Sequence, residues 1–345
     1  MTPADLLGVV ILVALVAYAL LGGADFGAGI WDLLASGPRR REQRAAIERA
    51  IGPIWEANHV WLILVVVVLF TGFPAAFASI CIALFAPLLL LVVGIVLRGA
   101  AFTFRTYESA DTVQERWGVV FSISSVLAPV MLGVVVGALA SGRVRVGDGA
   151  NVSGAFAALS PFALATGVFT CACFAFLAAA YLAVETEAEV REDFRWRAIA
   201  SGVAVFAGAA VVAALSWRQA PAVFRGLTSR PWSLPLHGAT AACAIIAFLA
   251  LAVRRFRLAR LAAALQVALI VVGWGASQYP YLVVPDMTLA SASAPRATQV
   301  LLLAALGLGA LTLFPSLYLL FRVFKGERPF SVVDRPPAGG PRRRS

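Results

Sequence analysis

Apolar residues run along this chain in stretches of about 20, separated by short clusters of charged residues, proline and glycine. A helix rises 1.5 Å per residue, so about 20 residues cross a hydrocarbon core about 30 Å thick. Nine such stretches stand at approximately 5–33, 52–71, 75–98, 117–140, 160–184, 197–217, 235–253, 261–279 and 298–322. The short alternating segments of a membrane β-barrel are absent. The pattern predicts an all-α polytopic membrane protein of nine transmembrane helices, spaced as two four-helix bundles plus one helix. Residues 1–326 form one transmembrane domain on this reading, and the basic, proline-bearing tail 327–345 is expected to be a disordered cytoplasmic segment.

Between the spans the pattern changes character. Arg44, Ile47, Glu48 and Ile51 have helical spacing with one apolar side, so the second span is expected to begin as an amphipathic surface helix. Thr71-Gly72-Phe73-Pro74 is a tight turn that makes spans two and three antiparallel neighbours. Gly23 and Gly27 in span one, and Gly133 and Gly137 in span four, are small residues four apart that let a second helix approach closely. The aromatic and proline-rich stretch from Gln278 to Thr288 predicts an ordered cap at the outer interface.

Composition agrees with a membrane protein. Of 345 residues, 61% are hydrophobic and 13% charged, where a soluble domain carries about 25% charged residues. The net charge of +10 is a matter of sidedness and does not point to nucleic acid. Of the 28 lysines and arginines, 22 fall on the side that follows the odd-numbered spans and 6 on the other. Cytoplasmic loops collect basic residues, so the N-terminus is expected outside and the C-terminus in the cytoplasm of a cell membrane, with lipid as a surrounding partner. The segment Met1-Thr2-Pro3-Ala4-Asp5 has no basic start, which argues against a cleavable signal peptide. Cys81, Cys171, Cys173 and Cys243 all lie in spans and read as packing residues rather than a disulfide framework.

Charge inside an apolar span is what chemistry requires and packing avoids. Asp25 lies eight residues before the cytoplasmic end of span one, and Glu56 just inside span two. Antiparallel neighbours place the two acids at similar depth, with Arg98 at the inner end of span three within reach. These three residues are the candidate proton pathway, because intramembrane acids usually face a route for ions or protons. The bland reading is that they fix helix contacts. His59, on the face of Glu56, invites a haem or metal reading, but the other histidine, His237, lies on the opposite side of the bilayer. No bis-histidine haem or three-histidine metal site is available to this chain, so no metal ligand or catalytic redox residue is assigned to it.

The run Gly22-Gly23-Ala24-Asp25-Phe26-Gly27-Ala28-Gly29, followed by Ile51-Gly52-Pro53-Ile54-Trp55-Glu56-Ala57-Asn58-His59-Val60-Trp61-Leu62-Ile63, resembles subunit II of the cytochrome bd-type quinol oxidases. Leu97-Arg98-Gly99, Ala128-Pro129, Ser160-Pro161-Phe162 with Gly167, and Tyr279-Pro280-Tyr281 with Pro285 extend the resemblance over nearly the whole chain. It implies a nine-helix subunit that holds no haem and forms a pseudo-symmetric heterodimer with subunit I, which carries the two b-type haems and haem d. It also implies a share in a cytoplasmic proton pathway through Asp25 and Glu56. Trp55, Asn58, His59 and Trp61 are expected to pack near that partner and its haems, although ordinary helix packing accounts for Trp55 equally well. Some members hold a structural quinone in this subunit. Glu56 stands where Asp is frequent, His59 where Gln is frequent, and Ala24 where an aromatic is common, leaving quinone type, haem complement and small accessory subunits open.

Three readings follow. The first is the haem-free structural and proton-pathway subunit of a quinol:O2 oxidoreductase in an aerobic respiratory chain. The rival is a proton-coupled secondary membrane transporter using the same acids, which lacks the inverted repeat and paired interrupted helices expected of that class. An assembly scaffold with inert acids is the third reading.

Overall fold

The structure is a computed structural model and describes residues 1–51, 55–108, 111–145 and 159–325. Among these residues, eight helices are long and apolar enough to cross a membrane. They are α1 (Pro3–Leu33), α6 (Phe85–Tyr107), α7 (Asp111–Ala140), α8 (Pro161–Glu185), α9 (Ala188–Gln219), α11 (Ser233–Ala252), α12 (Phe256–Gln278) and α13 (Arg296–Lys325). A ninth span exists if α2 (Arg40–Ile51) and the pair α3 (Trp55–Asn58) and α4 (Val60–Gly72) are counted as one bent element, with a 55° change of direction. α5 (Pro74–Ala83) and α10 (Pro221–Ser229) are short, and β1 (Tyr281–Val283) pairs antiparallel with β2 (Met287–Thr288). The chain is a multi-pass membrane protein.

Local chemistry sets the element ends. Thr2 and Asp5 form a reciprocal capping box at the start of α1, and Ser160 accepts from the Ala163 amide at the start of α8. Proline opens α1, α5, α8 and α10, where its missing N–H costs nothing. The stretch 75–98, expected as one helix, breaks at Leu84. Pro87 explains this, since its ring clashes with the carbonyl four residues back, at Ala83. The helix that resumes at Phe85 runs to Tyr107, beyond the predicted end at residue 98, so Arg98 lies inside it.

The described residues up to Leu303 form one compact unit, and those from Ala304 onward a second. In the first unit α8 packs against α1 and α7, and also against α9 and α12, so early and late spans meet across it. The second unit, where described, is the remainder of α13, with Pro315 inside the helix. The tail 327–345 lies outside the described residues, as does the side chain of Trp55.

One end of the first unit is rich in arginine. Arg39 bonds both oxygens of Asp193, at 2.9 and 2.6 Å, and Glu189 at 2.7 Å. The hydrogen bonds to Asp193, first among its interactions, hold its guanidinium above the ordinary arginine range. Gln43 of α2 donates to Asp193 and accepts from Arg197, which ties the amphipathic helix to α9. Arg254 meets Glu192 at 2.7 Å. These acids occupy the first turns of α9, which begins nine residues before the predicted span because its polar start stands beyond the apolar stretch. At the opposite end the β-hairpin is joined to residue 145 by an ion pair between Arg145 and Asp286 at 3.1 Å, and the Ala294 amide donates to the Gly72 carbonyl.

Candidate functional site

From Gly22 to Asp32 every residue of α1 is buried. Glycine makes this possible. A Cβ on Gly23 would sit 2.5 Å from the Phe174 ring of α8, and one on Gly27 would collide with the Phe174 carbonyl oxygen. α7 grips the same helix by the same means: a Cβ on Gly133 would meet the Gly167 Cα at 2.7 Å, and one on Gly137 the Ala163 Cα at 2.8 Å. Small residues at helical spacing thus bring three backbones together, and the Trp31 indole N–H donates to the Ala175 carbonyl at 2.8 Å across the α1–α8 contact.

Asp25 sits within this tight contact. The Asn58 amide donates to Asp25 Oδ2 at 2.5 Å, and both side chains are buried. Arg98, 1% exposed, donates through Nη2 to the Asp25 backbone carbonyl at 3.0 Å and through Nε to Ser125 Oγ at 3.2 Å. Its guanidinium lies 4.9 Å from the Phe26 ring centroid and 5.1 Å from that of Phe121. A charge so placed survives burial only through such partners, since aromatic faces and charge-assisted hydrogen bonds replace part of its hydration. His59 lies beside it, its Nδ1 3.4 Å from the Tyr18 hydroxyl and its ring 5.8 Å from that of Phe26.

The sequence-predicted residues are not all gathered here. Asp25, Arg98, Asn58 and His59 come together, and Trp61 is buried one turn beyond Asn58. Glu56 is exposed on the surface of this chain. The reason lies in helix geometry: residues two apart differ by about 200° around the axis. If Asn58 faces Asp25, Glu56 faces away. His237 is distant in the fold, its Nδ1 2.6 Å from the Ser233 carbonyl near the start of α11.

One carboxylate went unsingled in the sequence. Asp32 is fully buried and meets Arg105 at 3.2 Å, Arg44 at 3.7 Å and the Ser122 hydroxyl at 2.9 Å. It stands near the end of an apolar span, where an acid reads as the edge of the membrane. A signal existed nonetheless: Asp32 follows Asp25 by seven residues, and Arg105 follows Arg98 by seven.

The family profile described as cytochrome bd terminal oxidase subunit II matches residues 4–324. The chain belongs to that family. A Bacillus subtilis (strain 168) protein, provisionally named a cytochrome bd menaquinol oxidase subunit II, is 24% identical over 328 residues, covering 91% of this chain and 93% of its own. The cytochrome bd-I ubiquinol oxidase subunit 2 of Escherichia coli (strain K12) is 26% identical over 200 residues, or 56% of this chain and 51% of that protein. A solved bd oxidase from Geobacillus thermodenitrificans has the same fold, with a TM-score of 0.79 and 22% identity over 94% of this chain and 99% of that one. Membership in the cytochrome bd subunit II family implies a complex with subunit I.

Proposed function

We propose that this chain is the haem-free, structural and proton-handling subunit of a quinol:O2 oxidoreductase, the redox centres residing in subunit I. Oxygen reduction consumes four electrons and four protons per O2, and oxidation of two quinols supplies four electrons and releases four protons. Charge is separated if protons are taken from one face and released at the other. The excess of arginine around the junctions α1–α2, α6–α7, α8–α9 and α11–α12, much of it in the flanking helix ends, supports assigning that end to the cytoplasm and the N-terminus to the outside.

The observation that carries the reading is the Asp25–Asn58 hydrogen bond beside the buried Arg98. Asn58 is a neutral donor that holds the carboxylate in place without discharging it, so Asp25 keeps a proton-accepting oxygen at a fixed point inside the bundle. Glu56, exposed on the far side of α3, is a second proton-handling group, at the surface that faces water or the partner. The two histidines lie on different elements and offer no bis-histidine site, and the match to subunit II supports assigning the b-type haems and haem d to the partner. Trp274 Nε1 and Gln278 Nε2, one turn apart on α12, are buried donors with no hydrogen-bond partner among the described residues. They fit the carbonyl of a structural quinone.

The test uses the assembled oxidase carrying Asp25→Asn or Glu56→Gln, with turnover and haem spectrum measured on the same sample. The expected result is turnover lowered by tenfold or more for Asp25→Asn, in keeping with a general acid–base or proton-transfer group, with the haem spectrum retained. Glu56→Gln should likewise slow turnover more than it disrupts assembly. Wild-type rates with intact haem in both variants would remove these residues from the pathway. The family match weighs against the transporter reading, and a colourless preparation after mild-detergent co-purification is the result that would favour it.

A further inference from the structure

Two aspartates of α1 and two arginines of α6 stand in matching register. Asp25 and Asp32 are seven residues apart, as are Arg98 and Arg105. Seven residues make nearly two helical turns, about 10.5 Å of rise, so each pair shares one face of its helix. α7 supplies Ser125 and Ser122, three residues apart. Two rungs of like composition result. In the deeper rung Arg98 reaches the Asp25 carbonyl and the Ser125 hydroxyl. In the rung nearer the arginine-rich end, Arg105 Nη1 lies 3.2 Å from each oxygen of Asp32, and Ser122 Oγ lies 2.9 Å from Oδ2. Gly29 sits between the two aspartates, and the Ser125 side chain occupies the space its Cβ would need, which lets α7 reach α1 at this level.

The outer rung lies between the inner one and the arginine-rich end. Asp32 is sealed, while the side chains of Arg105 and Arg44 that cover it are 15% and 20% exposed. With Asp32 ionised, the three guanidiniums of the rungs (Arg44, Arg98 and Arg105) are offset by two carboxylates, while Arg40 and Glu115, of opposite sign, also act on Arg44 and cancel one another in the count. Without it, a proton approaching Asp25 from this end meets three positive charges and one negative. We propose that Asp32 is a positioning residue for proton access: its carboxylate holds Arg105 and Arg44 aside and cancels their charge, keeping the approach to Asp25 open. This inference rests on the reading of Asp25 as a proton-handling group. One unit of charge about 10.5 Å away, in an effective dielectric of about 20, changes the local proton activity roughly tenfold.

The experiment compares four variants of the assembled oxidase: Asp32→Asn, Asp32→Glu, Asp32→Asn with Arg105→Gln, and Asp25→Asn. Haem content, oxygen consumption at saturating quinol and proton uptake in vesicles are read for each. Asp32→Asn is expected to slow oxygen consumption and proton uptake together, roughly tenfold, with haem content retained. Asp32→Glu and the charge-balanced double variant are expected to recover most of the rate, a rescue that loss of packing or of hydrogen bonds alone would not give. A wild-type rate for Asp32→Asn, or a double variant as slow as the single one, overturns the proposal. If Asp32→Asn does not assemble, the double variant decides: assembled and active supports the proposal, unassembled or slow overturns it. A slow Asp25→Asn beside a fast Asp32→Asn rejects only the outer rung, whereas a wild-type rate for Asp25→Asn rejects the proton-pathway reading beneath it.

Discussion

A guanidinium held between two phenylalanine rings sets the energetics of the inner site. Arg98 satisfies its burial with one hydroxyl, one carbonyl and two ring faces. Arg98→Leu should therefore destabilise the purified complex by about 3 kcal/mol or more, because the Asp25 carboxylate loses its neighbouring positive charge and Ser125 a donor. Arg98→Lys keeps the charge but not the planar fork, and should recover only part of the loss. Thermal unfolding of both variants beside the wild type checks this, and equal midpoints for all three would show that the guanidinium geometry is immaterial. At this scale the sequence was partly legible. An acid in the glycine-rich end of an apolar span was visible as a site because water is absent there. The partner of Asp25 was not, because choosing between Glu56 and Asn58 depends on the rotation of a short helix. Asp32 escaped for a related reason: near a span end, buried and solvated acids look alike in sequence.

Small residues set how closely the central elements approach one another. α8 meets α1 at Gly23 and Gly27 and meets α7 at Gly133 and Gly137, so its position depends on four absent side chains. Gly27→Ala puts a methyl into the Phe174 carbonyl and should cost about 1–3 kcal/mol, as overpacking does in a dense interior. Gly238→Ala on α11, where a Cβ meets nothing within 4 Å, should be close to neutral or slightly stabilising. Unfolding of the two variants in the same detergent provides the comparison, and similar losses would contradict the close-approach account. The spacing of the glycine pairs was readable in advance, but the helix they face was not, since a pair of small residues does not name its partner. The break at Leu84 and the extension of α6 to Tyr107 were hidden by treating Arg98 as the end of the span. A charge that finds internal partners does not mark the membrane boundary.

At the scale of the whole molecule, the span pattern came through because about 20 apolar residues have few alternatives to crossing a bilayer. The bent second span and the polar first turns of α9 are set by contacts between distant residues, among them Gln43 and Asp193, which no local pattern reveals. Orientation carries its own prediction. A single cysteine placed at Arg40 should be shielded from an impermeant thiol reagent added outside intact cells, and one placed at Arg143 should react; the reverse labelling would invert the proposed topology. The central claim is that this chain lends a scaffold and a proton site to redox chemistry carried by its partner. Visible spectroscopy of the chain purified alone and in complex with subunit I tests that claim most directly. The account predicts haem absorption in the complex and a colourless isolated chain, and haem absorption in the isolated chain would contradict it.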